Sequence, residues 1–480
     1  MYEWVVQTIA MARPLTRHHT TQPGGIVPLE KKDSPMNDPT EGADFLIADN
    51  LINVIFGLGG DDAIFGLGGG DILSGDAGND LLVGGRGDDA LNGGKGFDTA
   101  NFNDASFDVT ADLVSGHALI DLGGSTEDDL LISIEGLTGG GGNDHLYGNS
   151  AANSLAGMNG YDSLDGREGN DRLYGGDGND NLTGGTGADV LNGGAGIDTV
   201  LYDQSTAGVN VNLSTGVGSG GEAAGDMFSG IEDVLGSKFN DTLTGNALSN
   251  IFFGGLGDDS IAGGGGDDII FGGTGADTMN GGSGVDRIDY DGGSAGIKVD
   301  LVKQTATGGD ATGDVISSIE DVAATDFADT LTGNSASNTL WGRAGNDKLS
   351  GAAGADDLTG GLGHDVMSGG TGADRFIYFG LAESGATTAT RDVITDFTTG
   401  EDLLFLAYLD ANAIVAGHQG FNFIDTAAFS GPGPAAAGEL RVHYAGANTF
   451  LEGDTDGNGA ADFQILFTGH LTFGLGDFVI

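Results

Sequence analysis

Residues 169–194 read GNDRLYGGDGNDNLTGGTGADVLNGG, with an aspartate at every ninth position (Asp171, Asp180, Asp189) and a leucine two residues after each (Leu173, Leu182, Leu191). Little but glycine and polar residues stands between them. One apolar side chain per nine residues returns less free energy than ordering nine backbones costs. A chain of this kind therefore needs a second source of stability.

Written as G1-G2-x3-G4-x5-D6-x7-U8-x9, with U apolar, the nonapeptide recurs without a slip in four arrays. The sixth positions of the first are Asp44, Asn53, Asp62, Asp71, Asp80, Asp89 and Asp98, and of the second Asp144, Asn153, Asp162, Asp171, Asp180, Asp189 and Asp198. The third has Asp241, Asn250, Asp259, Asp268, Asp277 and Asp286, and the fourth Asp329, Asn338, Asp347, Asp356, Asp365 and Asp374. The asparagine is always second in its array. An aromatic follows four residues after each last aspartate (Phe102, Tyr202, Tyr290, Tyr378) and reads as a plug on the open end of a stack. Three lead-ins place a glutamate nine residues ahead of the first aspartate (Glu135, Glu232, Glu320), so the register starts one unit early with a longer carboxylate.

Composition agrees with a repeat architecture: 94 glycines stand against 7 prolines in 480 residues. The formal charge of -54 repels nucleic acid and anionic membrane surfaces and attracts cations. The chain has no cysteine, hence neither a disulfide framework nor a thiolate metal site. The start, MYEWVVQTIAMARPLTRHHT, has an apolar run too short to span a bilayer, with its positive charges after that run, unlike a secretory signal. Residues 1–41 are expected to form a disordered leader, and no transmembrane segment is expected.

GGxGxD is a tight turn, because glycine allows positive φ and close backbone approach. The rest, x-U-x, is a strand of three residues with one side chain inward. Two nonapeptides make one coil, so aspartates eighteen residues apart, such as Asp162, Asp180 and Asp198, share an edge at the strand spacing of about 4.8 Å. At that spacing two carboxylates repel by about 0.9 kcal/mol even in water. A hard divalent cation between same-edge turns reverses the sign of that interaction and uses the carbonyls that glycine leaves exposed. Calcium suits it, with 6 to 8 oxygen ligands in flexible geometry, whereas magnesium demands a small octahedron and zinc prefers His or Cys. The expected ligands are the sixth-position aspartates from Asp62 to Asp98, Asp144 and Asp162 to Asp198, Asp241 and Asp259 to Asp286, and Asp329 and Asp347 to Asp374. Asparagine keeps an oxygen but loses the charge, so the first coil of each array is expected to bind weakly or not at all.

This nonapeptide resembles the calcium-binding repeat of the RTX (repeats in toxin, hemolysin-type) proteins over residues 42–378. The resemblance implies an all-β fold of parallel β-rolls that hold calcium on sixth-position aspartates and turn carbonyls and fold after export. The expected division is rolls at 42–102, 135–202, 232–290 and 320–378, joined by antiparallel β segments at 103–134, 203–231 and 291–319, with a C-terminal β module at 379–480. In the connecting segments, alternation such as Val209, Val211, Leu213 and Ile297, Val299, Leu301 reads as short strands covering a roll end.

A second resemblance covers that module. RDVITDFTTGEDLL (391–404), FIDTAAFSG (423–431), GDTDGNGAADFQILFTGHL (453–471) and the closing GDFVI look like the C-terminal module of serralysin-type secreted metalloproteases. In that family an acidic residue and three apolar ones, here Asp477, Phe478, Val479 and Ile480, belong to an uncleaved secretion signal. The implied partner is a type I ABC-transporter apparatus, and the implied location is extracellular. Asp454, Asp456, Asn458 and Asp462 match positions 1, 3, 5 and 9 of an EF-hand-like loop with Gly459 at its turn, and are candidate calcium ligands too. Position 12, however, is Ile465 instead of a bidentate glutamate.

The eight histidines form no HExxH pattern, and no long apolar helix precedes the repeats as in pore-forming relatives. The reading is a non-enzymatic secreted calcium-binding protein with a surface, adhesion or matrix role. The first alternative is a module that binds or helps modify polysaccharide through outward ninth-position aromatics (Phe56, Phe65, Tyr147, Tyr174, Phe253, Phe271, Trp341). The second is a serralysin-type relative without its catalytic domain.

Overall fold

The computed structural model describes residues 39–431, 433 and 437–480. The expected leader falls, up to residue 38, outside the described residues. Among the described residues the chain is built of short β-strands, with four single-turn 3-10 segments as its only helical pieces. No helix among the described residues is long and apolar enough to cross a membrane.

The chain divides into two compact units, one holding residues up to Ala100 with Glu127–Ile134, the other Asn101–Thr126 with Glu135–Ile480. In both, the strands within an array pair in parallel with the strand eighteen residues ahead, and strands nine residues apart fall in opposite sheets, as the repeat predicts. In the first unit Phe45–Ile47, Ala63–Phe65 and Leu81–Val83 follow one another in one sheet. Val54–Phe56, Ile72–Ala77 and Ala90–Lys95 form the other. The core is the single file of eighth-position side chains between the sheets: Ile64, Leu73, Leu82 and Leu91 are fully buried.

The second unit repeats this with Leu155, Leu173 and Leu191 in one sheet and Leu146, Leu164, Leu182 and Val200 in the other. Its connecting segments do more than cover an end. Asn210–Asn212 and Val217–Ser219 form an antiparallel pair, but the first also pairs in parallel with Thr242–Thr244 of the next array. Met227–Ser229 pairs in parallel with Val190–Asn192 of the array before. Lys298–Asp300, Thr305–Thr307 and Val315–Ser317 repeat the arrangement one array later. In the facing sheet the parallel ladder runs from one array into the next with no hairpin, through Thr199–Leu201, Asp233–Leu235 and Ile251–Leu256.

The C-terminal segment adds an antiparallel meander of Glu439–Ala445, Asn448–Asp454 and Phe463–Thr468. Asp392–Ile394 joins it to the rolls, pairing in parallel with both Val366–Met367 and Ile465–Phe467. Phe397, Phe467, Phe473 and Phe478 pack their rings together in its core. Phe478–Val479 becomes one more parallel rung beside Leu404–Phe405.

Candidate metal sites

The sixth-position aspartates after Asp44 are buried, and their two carboxylate oxygens do different things. Oδ1 accepts the amide N–H of the sixth residue eighteen positions earlier: Asp180 from Asp162 at 2.9 Å, Asp189 from Asp171 at 2.7 Å, Asp198 from Asp180 at 2.8 Å. The same bond recurs at Asp62, Asp71, Asp80, Asp89 and Asp98. It recurs again at Asp162 and Asp171, at Asp259, Asp268, Asp277 and Asp286, and at Asp347, Asp356, Asp365 and Asp374. Oδ2 is buried with no hydrogen-bond partner at Asp62, Asp71, Asp80 and Asp89, at Asp162 to Asp198, at Asp259 to Asp286 and at Asp347 to Asp374. A buried acceptor with nothing to accept costs on the order of 1–3 kcal/mol, more when charged. A run of them is a donor set for a cation.

What faces those oxygens is backbone. A Cβ placed on Gly175 would lie 2.2 Å from Asp180 Oδ2 and 2.5 Å from the carbonyl oxygen of Gly193; at Gly263 the values are 2.1 Å to Asp268 Oδ2 and 2.5 Å to the Gly281 carbonyl. Position 1 must be glycine because carboxylate and carbonyl oxygens converge on the space a side chain would fill. An all-oxygen set of this kind, free of His and Cys, fits calcium.

Electrostatics gives the same answer. Burial, with neighbouring carboxylates adding to it, holds the carboxyls of Asp89, Asp162, Asp171 and Asp259 up at about 7 and that of Asp347 at about 8. With no cation beside them, the carboxyls resist ionising.

The first coil of the later arrays is built differently. Asp144, Asp241 and Asp329 accept a covering-strand amide on Oδ1, from Val109, Val209 and Ile297, and on Oδ2 the N–H of Gly140, Ser237 and Thr325 in their own turn. Asn153, Asn250 and Asn338 accept the N–H four residues back on Oδ1 and donate through Nδ2 to the carbonyls of Glu135, Glu232 and Glu320. No carboxylate oxygen is left over in these coils, so their turns offer a cation less than the later turns do.

Two sets of residues went unnoticed in the sequence. Covering strands carry Asp129, Asp226, Asp314 and Asp392, which accept the amides of Asp89, Asp189, Asp277 and Asp365 at 2.9 Å each and so occupy the next rung. Glu232 and Glu320, already singled out in the sequence as lead-in glutamates, do the same on the other edge, for Asp198 and Asp286. Fifth positions form an outer ladder: Asn179 accepts from Ile197, Asn170 from Ala188, Asp258 from Ala276 and Asp267 from Val285. Its signal was visible in the recurrent GND and GDD triplets.

In the C-terminal segment Asp454, Asp456 and Asp462 bring ligand atoms within 4.8 Å of one another. Asp454 already accepts the N–H groups of Gly457, Asn458 and Gly459, and Asp462 Oδ2 those of Thr455 and Asp456. Asn458 donates to Asp456, and Ile465 is buried in the following strand. The outermost carboxylate, Asp456, is exposed.

The ladder, its buried acceptors and its glycine cradles define a β-roll that takes hard cations in series. The family model for the RTX calcium-binding nonapeptide repeat, four copies long, matches at 38–73, 65–100, 137–164, 165–200, 228–261, 262–294, 324–358 and 344–376, more than half of the chain. The protein belongs to the RTX calcium-binding repeat family, and it binds calcium ions at multiple sites.

No curated protein matches the chain in sequence. Among solved structures it is similar to the AlgE6R3 subunit of a mannuronan C5-epimerase from Azotobacter vinelandii, at 27% identity over 32% of this chain and 78% of that one, TM-score 0.24. The AlgE6R2 subunit matches at 26% identity over 32% of this chain and 89% of its own, TM-score 0.23. The extracellular lipase LipA from Serratia marcescens matches at 18% identity over 50% of this chain and 40% of that one, TM-score 0.21.

Proposed function

We propose that the chain is a secreted, non-enzymatic calcium-binding protein of a cell surface or matrix, and that the sixth-position aspartates with an unpartnered Oδ2 are its calcium ligands. The observation that carries this reading is the row of buried acceptor oxygens facing glycine carbonyls. Bound calcium supplies the positive charge that the carboxylates lack. Asp171 and Asp189 serve one edge; Asp162, Asp180 and Asp198 serve the other. Where free calcium is scarce the carboxylates repel and the coils stay open, which suits passage through a type I exporter. The likeness of residues 391–471 to the serralysin C-terminal module supports that route, and the Asp454 loop is proposed as a separate calcium site in it.

The test is a calcium titration of the full chain followed by far-ultraviolet circular dichroism. The expected result is disorder in chelator and β structure at calcium in the high micromolar to millimolar range of extracellular modules. Well-formed β structure without calcium at neutral pH would refute it.

A second reading, attachment to polysaccharide, is favoured by ninth-position rings on the surface: Phe253 and Phe271 stack 4.6 Å apart, and Phe253 is 38% exposed. Calcium-loaded protein that retains no acidic or neutral glycan would remove it.

A further inference from the structure

In the second unit, two edges end where a repeat aspartate meets a covering strand. Asp189 donates its amide to Asp226 Oδ1 and Asp277 to Asp314 Oδ1, both at 2.9 Å, over a gap of 37 residues each. Asp226 and Asp314 thus stand where the next sixth-position aspartate would. In the rungs before them, at Asp171, Asp189, Asp259 and Asp277, Oδ2 is buried and without a partner. At Asp226 and Asp314 it is taken: the Tyr202 hydroxyl donates to Asp226 Oδ2 at 2.7 Å and the Tyr290 hydroxyl to Asp314 Oδ2 at 2.8 Å.

All four side chains are buried, Tyr202 at 1% and Asp226 at 0% exposure. Burial, reinforced by the carboxylate each one faces, pushes both phenols well above their ordinary pKa, so each keeps its proton and acts as donor. A cation at this rung would meet a hydroxyl hydrogen and the rim of a ring where other rungs offer a bare oxygen. In the fourth roll Tyr378 and Asp392 face one another closely enough to perturb each other's ionisation. The contact there falls outside ordinary hydrogen-bond geometry, whereas the bond is formed in the two rolls that end at Asp226 and Asp314.

We propose that Tyr202 and Tyr290 terminate the calcium series on these two edges, each placing a hydroxyl proton where one more ion would bind and so setting the number of ions in its roll. Calcium on the sixth-position aspartates, as proposed above, is the premise. At these two array ends the aromatic is therefore more than a plug: its hydroxyl decides where the metal stops.

The test counts bound calcium in the full chain by atomic emission after equilibration at saturating calcium and removal of free ion. Y202F and Y290F are each expected to hold one ion more than wild type, and the double variant two more. D226N, which retains Tyr202, is expected to keep the wild-type count, and it decides the matter for the second roll should Y202F fail to fold. An unchanged count in folded Y202F and Y290F, or the loss of an ion in D226N, overturns the proposal. A wild-type chain that binds no calcium would instead remove its premise.

Discussion

The amide of Asp171 donates to Oδ1 of Asp189 at 2.7 Å, eighteen residues ahead, while Asp189 Oδ2 is buried with no partner. One carboxylate thus splits its work between holding the next coil in register and offering an acceptor to a cation. Removing its charge should separate the two. D189N keeps an oxygen for the amide but weakens the cation site, so we expect the calcium midpoint of folding to rise by the equivalent of about 1–3 kcal/mol. D144N, whose parent carboxylate already accepts the Gly140 and Val109 amides, should shift it less. Calcium titrations by circular dichroism compare the two; equal shifts would contradict the distinction.

The pH dependence should change sign with calcium. Burial raises the carboxyls of Asp62 and Asp268 from 3.8 to about 6, and those of Asp162 and Asp171 to about 7. A carboxyl with a higher pKa when folded takes up a proton on folding. Its contribution to stability is full below about pH 4, where the unfolded form is protonated too, and is lost as pH rises through 6 to 7. In calcium-free buffer, β structure should therefore grow on acidification from pH 8. The decisive range lies above pH 5, where exposed carboxylates remain ionised and general charge repulsion has barely changed. With calcium present, protons compete for the same oxygens, and the midpoint should rise over that range. Spectra that lose β structure on acidification without calcium would refute the argument.

Position 1 of the repeat tests the cradle. In G175A the new methyl would stand 2.2 Å from Asp180 Oδ2 and 2.5 Å from the Gly193 carbonyl. We expect the loss of about one bound ion and a higher calcium midpoint, read by ion counting and titration. Wild-type calcium content would show that the ion sits elsewhere.

The core is one side chain thick, so each member counts. Leu182 is fully buried between Leu164 and Val200 of its own sheet. L182A should destabilise the calcium-loaded protein by roughly 2–5 kcal/mol, the usual range for a buried leucine. Denaturant unfolding at fixed calcium measures it.

The eighteen-residue coil and its inward leucines were legible because both are local: a glycine turn and an apolar eighth position recur every nine residues, and the pairing Leu164–Leu182–Val200 follows by counting. The rungs supplied by Asp129, Asp226, Asp314 and Asp392 were not legible. They lie outside the nonapeptide register, in segments whose alternation announced strands but not which strand they would join. Nor did the sequence reveal that Asp144 and Asn153 each accept an amide of their own turn. That depends on which N–H a side chain reaches, and spacing alone does not say.

The step from Asp171 to Asp189 also bears on how such a gene grows. A tandem duplication of eighteen residues adds one rung, about 4.8 Å of length, and leaves every later aspartate on its original edge. A duplication of nine sends everything downstream, Asp226 with its neighbour Asp189, to the opposite edge. Any other length interrupts the ladder. The molecule lengthens in whole graduations, like a ruler, and insertions that respect the count are the ones its inheritance can keep.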